Sequence, residues 1–78
     1  KLSKPKGNFT ASLNRGIIEY LLEDREEALK NINIAIKVNA ISDLPYYNRA
    51  LIEYNNGDLT SSLADINNAI SLNKASLR

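Results

Sequence analysis

Cysteine, histidine, methionine and tryptophan are all missing from this chain of 78 residues. Without Cys or His there is no thiol nucleophile, no Ser-His-Asp triad and no Cys/His zinc site. A strong excess of either charge is also missing: ten basic residues face nine acidic ones, for a net charge of +1. That balance does not suit a protein that tracks a phosphate backbone, so nucleic acid is not an expected partner. No apolar run approaches the ~18 residues of a membrane span. Neither an initiator Met nor a signal-peptide pattern opens the chain, which points to a fragment or a processed product. Length allows one domain, and a fold this small buries roughly 60% of its surface.

What is present is an internal repeat. Asn14-Arg15-Gly16-Ile17-Ile18-Glu19-Tyr20 recurs as Asn48-Arg49-Ala50-Leu51-Ile52-Glu53-Tyr54, at an offset of 34 residues. The register then holds without a gap. Asp24 matches Asp58, Leu29 matches Leu63, Ile32-Asn33 matches Ile66-Asn67, Ala35-Ile36 matches Ala69-Ile70, and Asn39 matches Asn73. The chain therefore divides into a basic, flexible leader at 1–8, one repeat at 9–42, a second at 43–76, and a short tail at 77–78.

Each copy reads as two helices. Spacing and boundary signals predict helices over about Thr10 to Leu22, Arg25 to Asn39, Leu44 to Asn56 and Leu59 to Asn73. In the second of these, Ala28, Leu29, Ile32, Ala35 and Ile36 form one apolar stripe of a 3.6-residue period. Leu59, Leu63, Ile66, Ala69 and Ile70 repeat it. Asp24 is a good N-cap, with Glu27 completing a capping-box pattern. Gly57 suits a left-handed helix end, and Asp58 caps the fourth helix. Ser42 or Asp43 caps the third helix, and Pro45 falls in its first turn, where a missing N–H does no harm. Three-residue links make each helix pair antiparallel.

This pattern resembles the tetratricopeptide repeat, in the subclass that reads NRG…Y…GD…AL.D…AI.LN. Tyr46, Asn48, Arg49, Ala50, Tyr54, Gly57, Asp58, Leu63, Asp65, Ala69, Ile70, Leu72 and Asn73 carry it in the second copy. Asn14, Arg15, Gly16, Tyr20, Asp24, Ala28, Leu29, Ala35, Ile36, Val38 and Asn39 carry it in the first. The resemblance covers residues 9–76. It implies an all-α fold, two helix-turn-helix hairpins stacked as a short right-handed α-solenoid. Small residues belong at the helix crossings: Gly16 and Ala50 within each hairpin, Ala35 and Ala69 where a hairpin meets the next.

The departures are informative. Copy one has Ser12 where the family has a large aromatic, and Phe9 stands one turn earlier. Glu23 replaces the usual Gly between the first two helices. Ala40 and Lys74 replace the usual Pro after the second helix of each copy. Glu19 and Glu53 occupy an aromatic position of the core stripe. Each comes four residues after an Arg, so Arg15–Glu19 and Arg49–Glu53 are expected to pair and, with Asp65, to build a polar ladder between repeats.

The resemblance implies a protein or peptide partner held on the concave face of the first helix of each copy. By register that face comprises Leu13, Asn14, Ile17, Tyr20 and Leu21, then Tyr47, Asn48, Leu51, Tyr54 and Asn55. Tyrosine gives rigid contact area and amides pair with a peptide backbone. The carboxylate clamp of chaperone-binding relatives is not matched, because Leu13, Ile17 and Leu44 stand where charge is needed. No catalytic spacing, cofactor motif or metal loop is present, and the Glu23–Glu27 cluster reads as a solvated turn and cap. Two repeats without a capping helix suggest part of a longer array, or a chain that self-associates into a homo-oligomer.

Overall fold

The computed structural model describes residues 8–76, and these form four helices with no strand among them. Helix α1 spans Phe9–Leu21, α2 Arg25–Val38, α3 Leu44–Asn55 and α4 Leu59–Ser76. Apart from Asn8, the basic leader lies outside the described residues, as does the tail at 77–78. The fold is all-α, with α1 packed on α2 and α3 on α4. A smaller contact of α2 with α3 joins the two hairpins.

Local chemistry sets the helix ends. Asn8 accepts a hydrogen bond from the Ala11 amide at 2.8 Å, which starts α1 one residue before the sequence-based boundary. Asp24 caps α2 through the Glu27 amide at 3.4 Å. The reciprocal half of the capping box is not made: the Asp24 amide donates to the Glu19 carbonyl instead, and the Glu27 carboxylate pairs with Lys30. Asp58 caps α4 by accepting from the Ser61 amide at 3.3 Å. Asp43 precedes α3 but makes no cap bond, and its carboxylate accepts from Asn73 Nδ2 at 3.1 Å. Pro45 sits in the first turn of α3, fully buried. Helix α4 runs on to Ser76, past the expected end near Asn73. Lys74 and Ala75 are good helix formers standing where a proline would stop the chain.

The core sits in and beside the first hairpin. Leu13, Ala28, Ile32 and Ala35 form a buried cluster, and Ile52 of α3 joins it. Phe9, Ile17, Tyr20, Leu29 and Ile36 pack around them, so Phe9 supplies the aromatic bulk that Ser12 lacks. Gly16 makes the close approach of α1 and α2 possible. A Cβ there would lie 2.8 Å from Ile32 Cδ1 and 3.1 Å from the Ala28 carbonyl oxygen. In the second hairpin the equivalent Ala50 is buried, and its carbonyl accepts from Ser62 Oγ at 2.9 Å. Ala69 is also buried, although the described residues hold no further hairpin after it, so its own hairpin covers it.

The two tight links solve one problem with different residues. Gly57 has φ +85°, the left-handed region that its missing Cβ permits. Glu23, its counterpart, holds φ +67° with a side chain attached. That conformation costs an ordinary residue roughly 1 kcal/mol. Glu23→Gly is therefore expected to raise stability by about 0.5–1 kcal/mol, and Gly57→Ala to lower it by about 1 kcal/mol. Urea unfolding of the two variants checks both signs, and a Glu23→Gly protein less stable than the parent contradicts the account.

Candidate interaction surface and polar cluster

The residues expected on a binding face do not all reach the surface. Leu13 is in the core, and Ile17 is half-buried against it. Asn14 is exposed. Asn48 is half-buried and donates to the Leu44 carbonyl at 2.9 Å. Leu21, Tyr47, Leu51 and Tyr54 are exposed. In α3, Tyr47, Leu51 and Tyr54 are spaced by four and three residues and so share one helix face. Tyr20 and Asn55 meet between α1 and α3, where Asn55 Nδ2 donates to the Tyr20 hydroxyl. Beside that contact lies an open cleft of about 400 Å³, lined by Tyr20, Leu21, Glu23, Arg25 and Asn55. The result is an apolar, tyrosine-bearing surface with amide and charged edges, a composition suited to contact with another polypeptide.

Behind this surface is a cluster of charge. Both Arg–Glu pairs form within their helices, Arg15–Glu19 at 3.2 Å and Arg49–Glu53 at 3.7 Å. Their settings differ. Arg15 projects into solvent. Arg49 is half-buried and grips Asp65 with two parallel bonds, Nε to Oδ2 and Nη2 to Oδ1, both 2.8 Å. Its Nη1 donates to Asn33 Oδ1 of α2 at 2.8 Å, so this guanidinium ties the second hairpin to the first. Tyr46 lies beneath it, with the ring centroid 5.5 Å from Cζ. One side chain thus satisfies Asp65, the inter-hairpin amide and an aromatic face.

The acidic partners differ between copies by one residue. In the first, Asn31 Nδ2 donates to Glu19 Oε1 at 2.8 Å. In the second, Asp65 replaces Asn31 and has no amide to offer. Glu53 Oε1 is accordingly buried without a hydrogen-bond partner. Burial, with Asp65 close by, pushes the Glu53 carboxyl up to about 7. Burial works against ionised Asp65 as well, but its two bonds from Arg49, with the Glu53 carboxyl close by, outweigh that and hold it below the usual carboxylate range. The Arg49 guanidinium, bonded to Asp65, is pushed higher still. Below about pH 7 the two carboxyl groups therefore hold one proton between them, beside an arginine that stays ionised.

No family model, no curated protein and no solved structure matches this chain. The functional reading therefore rests on the site's own geometry. Sequence spacing found the Arg–Glu pairs, and the Asn31/Asp65 difference was visible in the aligned repeats. The bond from Arg49 to Asn33 lay beyond it, because no helical periodicity links residues on different helices.

The cluster has two measurable consequences. Arg49→Ala leaves Asp65 buried without its counter-charge and is expected to cost about 2–4 kcal/mol, whereas Arg15→Ala removes only an exposed pair and costs under about 0.5 kcal/mol. Equal effects in chemical denaturation would refute the difference in role. The second consequence concerns pH. Glu53 binds its proton more tightly in the folded chain than at its ordinary value of 4.5. Its contribution to stability is complete below pH 4.5 and fades as pH rises through about 7. Asp65 is shifted the other way: it contributes above its ordinary 3.8 and loses that contribution as pH falls below it, so the neutral window belongs to Glu53. Thermal unfolding between pH 5 and 8 should show a falling Tm that Glu53→Gln flattens, since Gln keeps the hydrogen-bonding role without titrating. A slope unchanged by Glu53→Gln assigns the effect elsewhere.

Proposed function

We propose that the chain is a protein–protein interaction module of the tetratricopeptide type. In this reading its hairpins form a short right-handed solenoid, and the concave side made by α1 and α3 receives a peptide or a partner's surface. It acts by contact and performs no catalysis. The observation that supports this reading is the exposed strip of Leu21, Tyr47, Leu51 and Tyr54, edged by Asn14 and Asn55, in a chain that has a core for apolar residues to enter. Tyrosine and leucine at helical spacing present rigid area, and the amides offer both donors and acceptors to a peptide backbone. No helix among the described residues is long and apolar enough to cross a membrane, so α4, the longest, is not read as a span.

Selection of a displayed random-peptide library on the immobilised chain tests the assignment. Enriched peptides should lose at least about tenfold in affinity, some 1.4 kcal/mol, on the Tyr47→Ala/Tyr54→Ala variant. Circular dichroism of that variant should be unchanged, because both rings are exposed. An empty selection, or peptides that bind the variant equally well, sinks the reading.

A further inference from the structure

The repeat allows each position to be compared with its counterpart 34 residues away. Several pairs differ in burial. Ile52 is 1% exposed in the core it shares with Leu13 and Ala35, while its counterpart Ile18 is 56% exposed. The reverse holds on the other side: Leu13 is 6% exposed and its counterpart Tyr47 49%. Leu29 and Ile36 pack against the core, but Leu63 and Ile70 are exposed. The molecule therefore presents counterparts of both halves of its inter-hairpin interface on its outer sides, with Tyr47 in the place of Leu13. One half is the Ile18 side of α1. The other is a cleft of about 230 Å³ lined by Tyr47, Ala69, Ile70, Asn73 and Lys74.

Two polar residues of the interface have exposed counterparts as well. Inside the chain, Arg49 donates across it to Asn33. The counterpart of Arg49 is Arg15, its side chain 70% exposed, and the counterpart of Asn33 is Asn67, also exposed. Arg15 keeps its pair with Glu19 as Arg49 does with Glu53, although Asn31 stands where Asp65 grips Arg49.

We propose that a second copy of this chain fills the cleft, head to tail. Ile18 of one molecule seats against Tyr47 and Ile70 of the next, and Arg15 of the first donates to Asn67 of the second. This rests on reading the chain as a contact module, and it names a partner for the α3 side of that surface. The occupant is a copy of the chain because the contact continues an interface already built within it, with Ile18 in the register of Ile52, Arg15 in that of Arg49 and Asn67 in that of Asn33. The two patches differ, so the contact is heterologous, and assembly extends into rows instead of closing as a symmetric dimer.

Single-end variants test this. Ile18→Asp disables the inserting side, and Ile70→Asp disables the cleft. Both residues are exposed, and circular dichroism verifies that each variant keeps its helices. In sedimentation velocity, the parent chain should grow in size from micromolar to millimolar concentration without stopping at a dimer. Each variant alone should stay monomeric. An equimolar mixture should form a one-to-one dimer and nothing larger, because one intact inserting side meets one intact cleft. A parent chain that stays monomeric at millimolar concentration, a parent that halts at a dimer, or a mixture that stays monomeric overturns the proposal. A monomeric parent that still selects peptides through Tyr47 and Tyr54 defeats only the head-to-tail contact. Assembly without peptide selection defeats only the peptide groove.

Discussion

Everything in this fold depends on one side chain crossing between hairpins. Ile52 belongs to α3, yet it lies in the core that α1 and α2 form around Leu13, Ala28, Ile32 and Ala35. Burying an isoleucine fully contributes roughly 1.5–3 kcal/mol. An isolated helical hairpin is marginal at best, so a contribution of that size decides whether two hairpins fold as one body. The seat for Ile52 exists because small residues let the first hairpin close. Gly16 admits Ile32, and Ala28 and Ala35 keep the floor shallow.

Arg49 gives the same contact direction and register. Dispersion and apolar burial tolerate a slipped or rotated neighbour, whereas a guanidinium with two bonds to Asp65 and one to Asn33 does not. Asp65, buried against Arg49, holds the guanidinium plane, and that plane aims Nη1 at α2. The apolar seat thus supplies attraction, and the arginine selects one arrangement. Tyr46 beneath the guanidinium adds to the selection, and copy one, with Ser12 in that place, has no such ring.

Much of this was legible in the chain because a repeat states its design twice. The offset located all four helices, and caps such as Asp24 and Asp58 fixed their starts to within a residue or two. The left-handed link was readable at Gly57 and hidden at Glu23, where packing holds a residue that local preference opposes. The far end of α4 departs from its expected place because a boundary copied from the first repeat ignores the helix-forming Lys74 and Ala75. The exposed face of α1 and α3 was the least legible part. Periodicity assigns Leu13 and Tyr47 the same face, but one has a neighbouring hairpin and the other does not. Burial at equivalent positions is set by what lies beyond the repeat, which the repeat itself does not encode. The proton shared by Glu53 and Asp65 was hidden for a similar reason, since it needs two helices brought together.

That proton has a consequence outside the packed interior. The formal charge of +1 counts Glu53 as ionised. Below about pH 7 the folded chain keeps this carboxyl neutral and is one unit more positive than its composition states. Above pH 4.5 the unfolded chain does not keep it. Melting in that interval releases a proton to the solvent, and the heat measured includes the ionisation enthalpy of whichever buffer receives it.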